Sequence, residues 1–296
     1  MTQGSSRHAP GTLGRIVDMG AARLADAGIE TARLDARVLA AHALGRDPSF
    51  ILTHPETVPS GPELEFIERL FARRERREPV SRILGMREFW SMPFKVTEAT
   101  LTPRPETETL VEHAVRRISE SGRGKSPLRI LDLGTGTGCL LLAVLSELTQ
   151  ATGLGIDISA DAVAVASENA RSLGLVDRAR FQTGDWATDI SGSFDVILSN
   201  PPYIATTDEP SLPPEVRDFD PSAALFAGAN GLDAYTAIAP QAACLLAPDG
   251  FVIVELGQGQ EADVAEIFAA AGLAVLESPR DLAGITRALC LGKPGG

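Results

Sequence analysis

From residue 105 onward the chain keeps repeating one pattern: a short apolar run, a turn, then a segment of helical length. The runs LRILDLG (128–134), GLGID (153–157), ARFQTG (179–184), FDVILSN (194–200) and FVIVEL (251–256) have the length and composition of buried strands. Between them lie CLLLAVLSEL, ADAVAVASENARSLG, LDAYTAIAPQAACLLA and, after the last, QEADVAEIFAAAG, each long enough for a helix. Strands separated by helices pair through crossovers, which predicts an open, mostly parallel α/β sheet with helices on its faces. The final runs, LAVLES and GITRALCLG, are joined only by PRDLAG. That link is too short for a crossover, so this pair is predicted to be antiparallel.

The first part of the chain reads differently. TLGRIVDMGAARLADAGI, TARLDARVLAAHALG and GPELEFIERLFARRERREPV carry apolar residues at helical spacing, with Gly28 and Gly45 as stops. SRILGMREFWSMPFKVTEATL (81–101) alternates apolar and polar residues around turn formers, as a hairpin does. The predicted organisation is a helical domain over 1–80, a β-hairpin linker over 81–104 and an α/β domain over 105–296.

Charge narrows the partners. Residues 1–80 hold 11 basic and 11 acidic side chains, whereas 81–296 hold 16 and 28, which is the whole net charge of -12. A nucleic-acid backbone calls for a basic face, so direct nucleic-acid binding is not expected of the second part. No apolar run reaches the roughly 18 residues of a membrane span. MTQGSSRHAPG has no apolar targeting core and reads as the frayed start of a cytoplasmic protein. The absence of heptads and long apolar helices suggests a monomer. Cys139, Cys244 and Cys290 lack metal-ligand spacing and sit in apolar stretches, where they read as buried small hydrophobes. The four histidines form no ligand pattern, so no metal is expected.

LDLGTGTG ends the first strand of the repeat and opens a helix. Gly134, Thr135, Gly136, Thr137 and Gly138 let a ligand approach the backbone, but their spacing fits neither the dinucleotide fingerprint nor the P-loop. Asp132 suits a ligand ammonium. Asp157 lies about twenty residues on, where an acid takes a ribose diol. At the next strand end, Asp185 can accept from an adenine amino group and Trp186 can supply a flat wall. An adenosine with a free diol, no phosphates and an amino-acid tail is S-adenosyl-L-methionine.

The fourth strand end is SNPPYI. Two prolines stop the strand and stiffen the turn behind it. Asn200, pressed into extended geometry by Pro201, offers a side-chain oxygen, and the Pro201 carbonyl is fixed by Pro202. Two fixed acceptors suit a planar NH2 group, with Asn200 also beside the cofactor and Tyr203 placed to stack on the target. Such a nitrogen is a poor nucleophile until its hydrogens are accepted and it is aimed at the methyl group. Adenine N6, cytosine N4 and an amide nitrogen all meet that description.

These residues resemble the class I S-adenosylmethionine-dependent amino-methyltransferases, whose mark is [N/D/S]-P-P-[Y/F/W]. Within them the chain is similar to the release factor glutamine methyltransferases of the HemK/PrmC type. The segments that carry the resemblance are REFWSMPFKVTEATLTPRPETETLVE (87–112), ILDLGTGTG, GIDIS, SNPPYI and FVIVELGQGQ. The resemblance implies a Rossmann-like sheet behind a helical substrate-docking domain. It also implies methylation of the glutamine amide in the Gly-Gly-Gln loop of peptide chain release factors, with S-adenosyl-L-homocysteine as product. By resemblance, Gly134 to Gly138 and Asp157 hold the cofactor, Trp186 covers adenine, and Asn200, Pro201, Pro202 and Tyr203 hold the glutamine. Arg104, Pro105 and Glu106 fall in the family's RPxTE segment and are expected to shape the site. The alternative is a nucleic-acid amino-methyltransferase acting on adenine N6 or cytosine N4, which the acidic balance and the linker segment argue against.

Overall fold

The structure, a computed structural model, describes residues 8–281 and 284–295. The expected frayed start, residues 1–7, and Leu282 and Ala283 of the short PRDLAG turn lie outside the described residues. No described helix is long and apolar enough to cross a membrane. The described residues form two compact units, one of residues 8–85 with 214–219, the other of 86–213 with 220–281 and 284–295.

The first unit contains α1 (Leu13–Asp26), α2 (Ala32–Ala43), α3 (Pro48–Thr53), α4 (Gly61–Glu75) and α5 (Val80–Leu84). The apolar stripes of the three longer helices meet in a core that includes Leu13, Leu24, Leu39, Ile67 and Phe71. Gly20 lets α1 lie against Phe71, whose ring is 2.3 Å from where a Cβ would stand. The two short helices were not expected from the sequence. Asp47 caps α3 by accepting from the Ser49 N–H at 2.8 Å, and α5 occupies the start of the stretch read as hairpin. Residues 214–219 reach this unit late in the chain. Arg74 donates to Asp35 at 2.8 Å and to Glu215 at 3.2 Å, and Arg77 donates to Glu215 at 2.9 Å.

The second unit opens with the hairpin β1 (Met86–Phe89) and β2 (Met92–Lys95). Trp90 and Ser91 form its two-residue turn with φ of 52° and 56°, the left-handed pair that matches strand twist. The hairpin belongs to the α/β body: Phe89 and Phe94 are buried in that body's core. The Trp90 N–H groups donate to Glu108 and Glu147, each at 2.8 Å.

The α/β elements follow as α6 (Glu108–Glu120), β3 (Arg129–Leu133), α7 (Cys139–Glu147), β4 (Thr152–Asp157), α8 (Ala160–Ser172), β5 (Ala179–Thr183) and β6 (Phe194–Ser199). After α9 (Pro214–Arg217), in the first unit, come α10 (Asp233–Leu245), β7 (Leu246–Glu255), α11 (Glu261–Ala270), β8 (Ala274–Glu277) and β9 (Ala288–Gly292). The sheet order is β5-β4-β3-β6-β7-β9-β8, with the first five strands parallel. Strand β9 pairs antiparallel with both β7 and β8, as the short last connection requires. Helices α6, α7 and α8 cover one face and α10 and α11 the other, giving the Rossmann-like architecture. Leu140 to Leu145 of α7 are buried all round, which explains the absence of a polar stripe in CLLLAVLSEL. Cys290 is buried in β9, but Cys139 is half-buried and Cys244 is exposed on α10. The expectation that all three cysteines are buried fails because the long apolar run of α10 covers more than its core-facing side.

Candidate active site

The carboxyl ends of β3, β4, β5 and β6 open on one cavity of about 620 Å³ within the second unit. That volume lies in the range of small-molecule sites, and the position is where open α/β sheets bind ligands. Gly134, Thr135, Gly136, Thr137, Asp157, Asp185, Trp186, Asn200 and Pro202 all line it, so the structure brings together the four predicted strand ends. Gly138, Pro201 and Tyr203 do not line it. Gly138, with φ of 79°, serves the helix start instead: a Cβ there would press on Phe181 at 3.1 Å and Ala166 at 3.2 Å. Tyr203 is half-buried against the core under α10 and α11 and is not among the residues that line the cavity, where it was expected to stack on the target.

The glycine loop is fixed from below. Asp157 accepts from the Gly136 N–H at 2.8 Å and from the Ser159 N–H at 2.9 Å, joining the ends of β3 and β4. Asn169, 1% exposed on α8, accepts from the Lys95 N–H at 2.8 Å and donates to the Thr137 carbonyl at 2.9 Å. Gly136 has φ of 54°, and apart from its chain neighbours no described residue comes within 4 Å of the place a Cβ would take, so the loop leaves room for a ligand there. Trp186, at φ 50°, is a non-glycine held in the left-handed region at the cavity wall. That conformation aims its ring at Gly134, where a Cβ would be 3.4 Å away.

Two buried carboxyls stand behind these surfaces. Asp132 accepts from the Thr135 hydroxyl at 2.6 Å through Oδ2, while its buried Oδ1 has no hydrogen-bond partner among the described residues. Burial pushes this carboxyl up to about 7, helped by the charge of Asp157 and opposed by Thr135 and by the nearby Leu141 N–H, which does not reach hydrogen-bond geometry with Oδ1. An unsatisfied carboxylate oxygen beside a cavity is matched by a cationic ligand group. The site therefore fits a ligand with an ammonium, a diol and a flat base.

Glu255, at the end of β7, is the second buried carboxyl. It accepts from the Thr107 hydroxyl at 2.6 Å and from the Tyr203 hydroxyl at 3.4 Å. Burial pushes it up to about 7, with Glu106 adding to the rise and Thr107, Tyr203 and Arg287 opposing it. Thr107 in turn accepts from Asn200 Nδ2 at 3.1 Å. Arg104 lines the cavity and donates to Asp220 at 2.6 Å, both within the second unit. Pro105 and Glu106 are exposed. Sequence reasoning passed over Thr107 and Glu255. The first sits inside the RPETE segment and the second ends an ordinary apolar strand, so only the long-range pairing reveals them.

Comparison with known proteins bears on both units. A family described as PrmC N-terminal domain matches residues 16–85, and one described as methyltransferase domain matches 125–263. A release factor glutamine methyltransferase of Rhodospirillum rubrum is 51% identical over 94% of this chain and 84% of its own length. One of Bradyrhizobium diazoefficiens is 46% identical over 91% of each. Among solved structures, the hMettl16 catalytic domain superposes with a TM-score of 0.54 at 17% identity, covering 85% of this chain and 90% of its own, a likeness of fold.

Proposed function

The chain belongs to the release factor glutamine methyltransferases, and from that premise we propose that it methylates the side-chain amide nitrogen of the glutamine in the Gly-Gly-Gln loop of peptide chain release factors, with S-adenosyl-L-methionine as donor. The observation that carries the reading is the end of β6. There Asn200 reaches the cavity wall with Nδ2 engaged by Thr107 and Oδ1 free of any protein partner among the described residues.

Gly134 to Thr137 would hold the cofactor's backbone-facing side, Asp157 its ribose, Asp185 and Trp186 its adenine, and Asp132 its ammonium. When bound, S-adenosyl-L-methionine supplies an electrophilic methyl group on its sulfonium and leaves as S-adenosyl-L-homocysteine. Asn200 Oδ1 accepts an amide hydrogen of the glutamine, which returns electron density to the nitrogen and orients it. Pro201, buried and not among the lining residues, and Pro202, which is, stiffen the backbone that holds Asn200 there. Tyr203 contributes from behind, through Glu255. Neither lysine nor histidine is among the described residues that line the cavity, and the surplus proton of the methylated nitrogen passes to water or by way of Asn200 and the Pro201 carbonyl.

The test offers radiolabelled methyl donor with intact release factor, duplex DNA and ribosomal RNA. Label is expected in the release factor glutamine, and label in nucleic acid alone overturns the reading. Asn200→Ala should keep S-adenosyl-L-homocysteine binding while lowering transfer roughly a hundredfold or more, as when an aimed polar group is removed from a transition state.

A further inference from the structure

We propose that Thr107 and Glu255 are positioning residues: together they fix which end of the Asn200 amide faces the methyl acceptor. The proposal rests on the reading of Asn200 given above and adds residues to the reaction that the motif does not contain.

A threonine hydroxyl has one hydrogen to give and two lone pairs to receive with. An ionised carboxylate can only accept. Thr107 Oγ1 lies 2.6 Å from Glu255 Oε2, so its hydrogen is committed to the carboxylate. What it offers Asn200 is a lone pair, and the only end of an asparagine amide that can use a lone pair is the NH2. Nδ2 accordingly stands 3.1 Å from that hydroxyl. The other end, Oδ1, is left as the acceptor.

The frame around the relay is closed. Thr107 and Glu255 are each 2% exposed. The second carboxylate oxygen accepts from Tyr203, and the Glu255 carbonyl accepts from the Tyr235 hydroxyl at 2.8 Å. Gln260 holds Tyr203 in turn, donating to its carbonyl at 3.0 Å. The two ends of an asparagine amide are nearly equal in size, so sterics alone do not choose between them. A flipped Asn200 would present NH2 to the NH2 of the acceptor, donor against donor. Glu255 therefore selects the productive orientation from two residues away, and touches no substrate itself.

Thr107→Val keeps the shape and removes the hydroxyl, and Thr107→Ser restores it. At about pH 8, where Glu255 is ionised, transfer to an intact release factor should lose kcat at least tenfold in Thr107→Val, with KM and the Kd for S-adenosyl-L-homocysteine within about threefold of wild type. Thr107→Ser should return kcat to within about threefold. Glu255→Met should lower kcat similarly, and the double variant should be no worse than Thr107→Val, because the two residues act in series. An unchanged kcat in Thr107→Val, no rescue by serine, or losses that multiply in the double variant would each overturn the relay. So would cofactor affinity lost in step with rate, which marks a collapsed pocket. Wild-type enzyme that leaves the release factor unmethylated instead removes the substrate assignment on which the relay rests, an outcome separate from all of these.

Discussion

The buried carboxyl at the foot of the glycine loop makes a prediction that can be worked through in numbers. Burial pushes Asp132 from the usual 3.8 up to about 7, and its Oδ1 lacks a partner among the described residues. A ligand ammonium against that oxygen favours the ionised form and returns the carboxyl toward its ordinary range. The direction of the shift sets the sign. Above about pH 7 the carboxylate is already charged and binding costs no proton. Below it the free protein holds a proton that must leave when the ligand binds, so affinity falls as pH falls. Each pH unit well below 7 is then worth up to about 1.4 kcal/mol, and because the group is already half protonated at about pH 7, going from there to about pH 5.5 should weaken binding roughly fifteenfold. Calorimetric titration with S-adenosyl-L-homocysteine, in buffers of different ionisation enthalpy, should show nearly one proton released at about pH 6. Asp132→Asn should bind without that pH slope. It should also be roughly ten- to a hundredfold weaker at about pH 7.5, the range of a lost charge-assisted hydrogen bond. A wild-type affinity that is flat across this window, or a slope that survives in Asp132→Asn, would refute the placement of a cation at Asp132.

Two further outcomes test the frame around the site. Gly136→Ala should cost about 1 kcal/mol of stability through its φ of 54°, yet weaken S-adenosyl-L-homocysteine binding tenfold or more, because the new methyl group enters the space left open above the loop; equal affinity in a thermal-shift or calorimetric assay would show that no ligand passes there. Arg74→Leu should destabilise the full chain by about 3 kcal/mol in urea unfolding, since it strips the cation from Asp35 where the two side chains are only 7% and 9% exposed; a loss below about 1 kcal/mol would mean that the pair is dispensable.

What the sequence discloses and what it hides divide along physical lines. Strands β3 to β7 and helices α7, α8, α10 and α11 were legible because each buries a face or a whole circumference, which leaves a periodic or continuous apolar record. The cavity was legible because glycines, acids and prolines at successive strand ends fall on one side of a parallel sheet. Helices α3 and α5, of 6 and 5 residues, are too short to show a period. Asn169 looked like any polar residue of an amphipathic helix, although it joins β2 to the glycine loop. Thr107 and Glu255 stand 148 positions apart, and no local pattern couples them. The direction in which the Tyr203 ring packs was likewise beyond a motif that specifies only the residue type.

The first unit draws six of its residues, 214–219, from beyond the NPPY motif, and Glu215 among them pairs with Arg74 and Arg77. The consequence concerns how such chains can be recombined. A fragment ending at Gly85 is not a complete module, because two arginines of α4 and its C-terminal extension would be left without that carboxylate. Exchanging the amino-terminal portion between relatives would bring together an arginine pair and a glutamate with separate histories. A viable chimera must carry residues 214–219 along with 1–85, so the unit of inheritance is discontinuous in sequence even though it is contiguous in space.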